Sequence, residues 1–276
     1  MTTQLYPTTA ATRLESIDTL RGIAVLGILL MNIQFFAMVS PAYFNPTAFG
    51  DLAGLNYAVC VFQHVFADQK FMTLFSMLFG AGMVLMAERA ESKGMSAYGL
   101  HFRRIFWLLL LGAIHAYLLW YGDILVIYAM SSVLVIWFRR RLPLTQFICG
   151  AVMLMIGTAI YAAAGLTVEQ WPAEVIAEMK THWAPGPAKI AEEVAIYRGG
   201  WLQQMSHRLP HSLGFHSEVF VAWGLWRAGG LMLIGMALYR WGVFSAALDT
   251  ARYRWLAAAG TAIGFPLVIY GLLPVS

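Results

Sequence analysis

The sequence predicts an all-α protein, a polytopic transmembrane helical bundle, and three observations carry that expectation. Of 276 residues, 60% are apolar and only 12% are charged, where a water-soluble globule carries about a quarter charged residues. Mean hydropathy is +0.66. The apolar residues also fall in long blocks that recur from Ile23 to Val275, and a hydrocarbon core about 30 Å thick is crossed by roughly 20 such residues in helical conformation. Soluble enzymes and secreted disulfide scaffolds are therefore excluded. Cys60 and Cys149 each lie inside an apolar run and read as small core residues. The net charge of +4 does not point to nucleic acid, because the Lys and Arg residues sit in short clusters between apolar runs, where they orient helices.

Seven segments qualify as spans: residues 20–39, 71–87, 105–121, 124–138, 144–166, 219–239 and 255–275. The third and fourth form a helical hairpin around Tyr121-Gly122-Asp123. An eighth apolar stretch, 55–66, has only a dozen residues and runs into Ala67-Asp68-Gln69-Lys70. Charge placement decides its reading. If it does not span, Arg13, Arg89, Lys93, Arg103, Arg104, Arg139, Arg140, Arg141, Arg240, Arg252 and Arg254 all share one side, which marks the cytoplasm. The 55–69 segment is accordingly expected as a re-entrant or interfacial helix, with the N-terminus cytoplasmic.

One membrane domain accounts for the chain. Residues 1–17 form a cytoplasmic tail, 20–166 the first five spans, 167–217 a periplasmic insert and 218–276 the last two spans. The tail lacks an Arg-rich start or a cleavage site, so the first helix serves as its own insertion signal. The insert holds Trp171-Pro172 and Ala184-Pro185-Gly186-Pro187 as breakers around two short amphipathic stretches. It is expected to cap the outer face. No internal repeat of fixed period is visible.

Ionisable and amide groups within spans are expensive and face the bundle interior or an aqueous cavity. Asp18 and Arg21 are helical neighbours at the cytoplasmic mouth, able to pair and to bind an anion or headgroup, or to act as an interfacial anchor. Asn32 lies three turns further along that helix face, as interhelical glue or as a substrate contact. His64 and Asp68 are four residues apart on one helix face, and a carboxylate there could tune the imidazole as a general base. His115 and Asp123 offer the same chemistry at the first hairpin, along one face if the turn follows Asp123; a structural network is the alternative for each pair. Arg227 lies eight residues into a span and must meet a carboxylate, a carbonyl or a bound anion. His207, His211 and His216 invite a metal reading, which is set aside because Pro210 is expected to break the helix that would align them.

Three stretches resemble one family: Ile17-Asp18-Thr19-Leu20-Arg21-Gly22-Ile23-Ala24 with Asn32 following; Lys70-Phe71-Met72-Thr73-Leu74-Phe75-Ser76-Met77-Leu78-Phe79-Gly80; and Arg103-Arg104 leading through Gly112-Ala113-Ile114-His115 to Trp120-Tyr121-Gly122-Asp123-Ile124-Leu125. They are similar to the YeiB family, domain-of-unknown-function family 418, of bacterial inner-membrane proteins, and 227–240 resembles that family's later signature. The resemblance implies a multi-pass protein of the bacterial inner (plasma) membrane. Its first-helix motif is in turn similar to the transmembrane acyltransferase superfamily. There, acyltransferase-3 proteins place a His eleven residues after the Arg, where this chain has Asn32, while the glucosaminide acetyltransferase branch carries Asn at that place. Related proteins continue through further helices, so the chain is expected to be a truncated or shortened member.

That resemblance implies an acyltransferase that takes an acyl group from cytoplasmic acyl-CoA to an envelope glycan or lipid acceptor. Arg21, Arg103 and Arg104, with Asp18, Lys70 and Arg227, are the expected substrate-binding set. His64 or His115 is the expected base, Asp68 or Asp123 its orienting partner, and Asn32 the oxyanion donor. No tightly bound cofactor, metal or nucleic acid is expected; the bilayer is the surrounding partner. Transport or export of a small anion or amphiphile along Arg21 and Arg227 is the rival reading, and a structural or accessory role the third.

Overall fold

In the computed structural model, which describes residues 14–272, every regular element among the described residues is helical and there is no strand. Helix α1 runs over Glu15–Ala37. Two short 3-10 turns, Ser40–Tyr43 and Pro46–Ala48, follow it. Helix α2 covers Leu55–Phe66 and α3 covers Lys70–Glu91. Helix α4, Ala97–Ile114, widens into a π-helical turn over His115–Leu119. Then come α5 at Leu125–Val135 and α6 at Pro143–Thr167. The short helices α7, α8 and α9 occupy Ala173–Trp183, Pro187–Arg198 and Trp201–Gly214. From α9 a π-helical segment, Phe215–Gly229, leads directly into α10 at Gly230–Arg240, and α11 follows at Thr250–Leu272. Among the described residues, five helical stretches are long and apolar enough to cross a membrane, Glu15–Ala37, Leu55–Glu91, Ala97–Leu119, Pro143–Gln170 and Trp201–Arg240, whereas Leu125–Phe138, expected as a span, is shorter.

Helices α3 and α10 form the centre, with α6 packed on α10, α1 on α3 and α4 on α5. Small residues make this possible, since without a hydrophobic drive between helices in lipid, close backbone approach supplies the attraction. A β-carbon on Gly80 would collide with the Met232 carbonyl, and one on Gly235 with the Met77 carbonyl. Phe79, Met83, Ile127, Tyr128, Met232 and Met236 fill the core. Outward-facing Leu26, Trp107, Leu134, Met155 and Val221 stay exposed, as a lipid-facing surface requires.

The bundle has two distinct ends. At one, Glu91 accepts from Arg139 at 2.8 Å and from Arg140 at 2.7 Å, while Arg240 donates to the Arg139 and Arg141 carbonyls. Ser16 donates to the Phe244 carbonyl at 2.7 Å, which puts the start of α1 at that same end. The expected sharing of one side by these cation clusters is thus met; Arg13 lies outside the described residues.

The 55–69 segment is a helix that a three-residue turn joins to α3. It packs on α11 and touches α1 through Gln63, which donates to the Met31 carbonyl at 3.4 Å and to Gln34 at 3.3 Å. The insert differs from expectation. It contains three helices, and the third continues without a break into the span that the sequence placed at 219–239. Pro210 sits inside α9 and does not end it. His207 and His211 are therefore aligned after all, their rings stacked at 3.9 Å, and His211 Nδ1 lies 2.7 Å from the His207 carbonyl.

Candidate functional site

The 120–124 turn brings His115 and Asp123 together. His115 Nδ1 lies 2.7 Å from Asp123 Oδ2, with the carboxylate 1% exposed and the imidazole 39%. The other carboxylate oxygen accepts from the Val126 amide at 3.0 Å, tying Asp123 to the first turn of α5. The pair was expected along one helix face. Instead the π-helical turn that follows α4 ends at Leu119, before Asp123, and the two residues face each other across the turn. With Nδ1 donating to the carboxylate, the Nε2 lone pair is left available as a base. The Trp120 ring lies 6.1 Å from His115 and 4.6 Å from Phe36 of α1.

Two features here escaped sequence reasoning. One is the placement of His216, which the sequence offered only as a metal candidate and which the long π-helical segment brings beside Tyr117, with its Nε2 buried and without a hydrogen-bond partner. Its Nδ1 lies 3.4 Å from the Tyr117 hydroxyl. The other is the π-helical geometry itself, which carries His115, His216 and Arg227. Wide turns of this kind concentrate at functional sites, but no local pattern announces them.

The other sequence candidates are sorted by what they touch. His64 Nδ1 is 3.6 Å from Asp68 Oδ2, beyond a hydrogen bond, and the imidazole is 46% exposed. Lys70 donates to the His64 carbonyl. Asp18 and Arg21 pair at 3.7 Å. Arg21 also reaches across to α3, where its guanidinium occupies the space a side chain on Gly82 would need. Arg104 lies over the Phe79 ring at 4.8 Å and within electrostatic reach of Arg21; Arg103 is exposed. Asn32 is half-buried on α1. Helices α1 and α4 flank α3 without packing on one another along their length. The cations thus lie near one end of this interval, and His115 and Trp120 lie at the other.

Arg227 donates to the Thr73 hydroxyl at 2.9 Å and to the Gln69 carbonyl at 3.4 Å. It makes no ion pair among the described residues. Nearby, the Tyr128 and Ser76 hydroxyls meet at 2.7 Å.

The insert is fastened to the bundle by a polar cluster the sequence did not reveal. Glu193 accepts from the Ser40 amide at 2.8 Å and from its hydroxyl at 2.5 Å, and the Tyr121 hydroxyl lies 2.6 Å from Ser40 Oγ. Burial pushes the Tyr121 phenol well up and the Tyr197 phenol to about 12, with Glu193 adding to both. Arg208 and Trp201 donate to the Leu118 carbonyl. No group of three or more potential metal-ligating side chains occurs among the described residues.

Against known proteins, the chain is 30% identical over 259 residues to the uncharacterised protein YeiB of Escherichia coli (strain K12), a match covering 92% of this chain and 63% of that one. The uncharacterised protein YxaH of Bacillus subtilis (strain 168) is 40% identical over 148 residues, 52% of this chain and 37% of the relative. An uncharacterised 39.9 kDa protein in the amylase 3′ region of Bacillus acidopullulyticus is 32% identical over 152 residues, 55% and 41% of the two chains. The chain thus spans less than two thirds of the length of each. No family model matches it, and no solved structure does.

Proposed function

The chain belongs to the YeiB family of uncharacterised proteins, and we propose that it is a membrane-embedded acyltransferase that moves an acyl group from acyl-CoA to an envelope glycan or lipid. The observation that carries this reading is the His115–Asp123 contact at 2.7 Å, with the acid buried and the imidazole open. A buried carboxylate fixes the imidazole tautomer and stabilises the imidazolium that forms when the ring takes a proton.

The membrane is a bacterial inner membrane, and the basic end faces the cytoplasm. Support comes from the clustering of Arg139, Arg140 and Arg240 with the start of α1, as the positive-inside tendency requires. There Arg21, Arg103 and Arg104 hold the CoA phosphates, a task suited to guanidinium. From Arg104 to His115 is eleven residues of helix, about 16 Å at 1.5 Å rise, a distance that an extended pantetheine arm can bridge between α1 and α4.

At the far end, Nε2 of His115 removes the proton of the acceptor hydroxyl or amine as its lone pair attacks the thioester carbonyl. Asn32 donates to the oxyanion. Collapse breaks the C–S bond, and the departing CoA sulfur takes the proton back from the imidazolium, so the base is regenerated. His64 is replaced in this role by His115, because its contact with Asp68 is longer and its ring more exposed.

The test is transfer of labelled acetyl from acetyl-CoA into lipid or glycan by membranes holding the protein. His115→Gln is expected to lower the rate by about 10²–10⁴, the range for loss of a general base. An unchanged rate removes the assignment. A second reading, transport of a small anion, draws on the interruption between α2 and α3 at 67–69, since broken helices often line transport sites. Uptake into sealed vesicles without acyl-CoA would favour it.

A further inference from the structure

Where α2 gives way to α3, the chain makes a non-helical turn in the middle of an otherwise apolar 37-residue stretch, Leu55–Glu91. Irregular backbone at that place is tolerated only where protein or a polar cavity lines it. Gln69 is held there in the left-handed region at φ 62°, a conformation uncommon for a non-glycine residue and one that clusters at ligand sites. Two carboxylate and amide acceptors of this turn lack partners. Asp68 directs Oδ2 outward toward His64, while its Oδ1 is buried and unbonded, and the Gln69 side-chain oxygen is buried and unbonded too.

Facing the turn is Arg227, held by Thr73 and the Gln69 carbonyl, with its buried Nε unbonded and the Trp223 ring 5.9 Å away. Through the Gln69 carbonyl, Arg227 is held one residue from Asp68 along the chain. Yet the acid and the guanidinium do not pair: no contact between them falls within 4 Å, and Asp68's only ion contact among the described residues is His64. Two opposite charges inside a membrane protein would gain from meeting directly, since each is costly alone. Arg227 is instead bonded to Thr73 and the Gln69 carbonyl, while Asp68 Oδ2 lies 3.6 Å from His64.

We infer that the α2–α3 turn and Arg227 form a binding site for a small zwitterion, its carboxylate on Arg227 and its ammonium on Asp68 Oδ1 and Gln69 Oε1. A ligand with both charges compensates both groups at once, whereas an anion leaves the acid and amide oxygens unmatched and a cation leaves the guanidinium so. The site is separate from the His115–Asp123 pair, so it stands or falls independently of acyl transfer.

The experiment uses the full chain in detergent micelles or nanodiscs. The twenty protein amino acids, β-alanine and γ-aminobutyrate are screened singly by thermal stabilisation. The strongest is then titrated against its deaminated carboxylate and its decarboxylated amine. Binding of at least one zwitterion about tenfold tighter than either one-charge analogue is expected; Asp68→Asn should erase the preference over the carboxylate analogue, and Arg227→Gln should abolish binding. No zwitterion binding in the screen, or equal binding of a one-charge analogue to the unmodified protein, overturns the proposal, and neither result depends on a variant folding.

Discussion

At the basic end of the bundle, Glu91 receives two guanidiniums, Arg139 stacks on Tyr98 at 4.5 Å, and Arg240 is spent on two backbone carbonyls. Some turns inward, Arg227 has one hydroxyl and one carbonyl, and no carboxylate among the described residues. The same side chain thus meets a carboxylate at Arg139 and none at Arg227, although the buried Nε of each lacks a partner. Matched charges fasten loops, so their removal costs stability. Under-matched charges in a low-dielectric interior lower stability, and a chain that carries them gains something else from them. The difference separates residues that hold the fold from Arg227, for which we propose a ligand.

The comparison is sharpened first at Arg139, 4% exposed. Arg139→Ala should destabilise the protein by about 2–3 kcal/mol, because it removes a buried, hydrogen-bonded partner of Glu91. Thermal unfolding in one fixed detergent measures it, and a change under 1 kcal/mol would break the contrast. Next is the fastening of the insert. Glu193→Gln weakens charge-assisted bonds to the Ser40 amide and hydroxyl, with an expected loss of about 2 kcal/mol and faster proteolysis between α7 and α8. Third is the opposite sign. Arg227→Met should be neutral or stabilising by up to about 1 kcal/mol, since it deletes an under-compensated charge while keeping most of the volume. A loss as large as that of Arg139→Ala would place Arg227 among the structural residues. The smallest effect belongs to His64→Ala, which should stay within about 0.5 kcal/mol, as expected for an exposed side chain without a hydrogen bond.

Much of this architecture is written locally. Apolar run length locates five of the seven expected spans, while 124–138 is a shorter apolar helix and 255–275 runs past the described residues; cation clusters gather residues 89–104, 139–141 and 240–254 with the start of α1. The tight Tyr121-Gly122-Asp123 turn makes the His115–Asp123 meeting legible, although the contact runs across the turn and not along a helix. What stayed hidden depends on distant partners. Ser40 and Glu193 are 153 residues apart, and no spacing rule connects them. The π-helical segments widen the turn; Phe215–Gly229 packs against α5 and α6 and His115–Leu119 against α9, contacts that apolar periodicity does not record. Pro210 misled because its missing amide suggests a break, whereas the surrounding contacts of α9 with the bundle hold the helix continuous.

The most direct test of the account is thermal stabilisation of the purified protein by acetyl-CoA, compared with CoA and with simple anions, in the unmodified chain and in Arg21→Ala. At a hundredfold excess over the dissociation constant a ligand stabilises by about 2.7 kcal/mol. The account predicts a clear upward shift with acetyl-CoA and CoA that is lost in Arg21→Ala. A flat response to both, with the protein folded and the anions active, would contradict acyl-CoA recognition at the basic end.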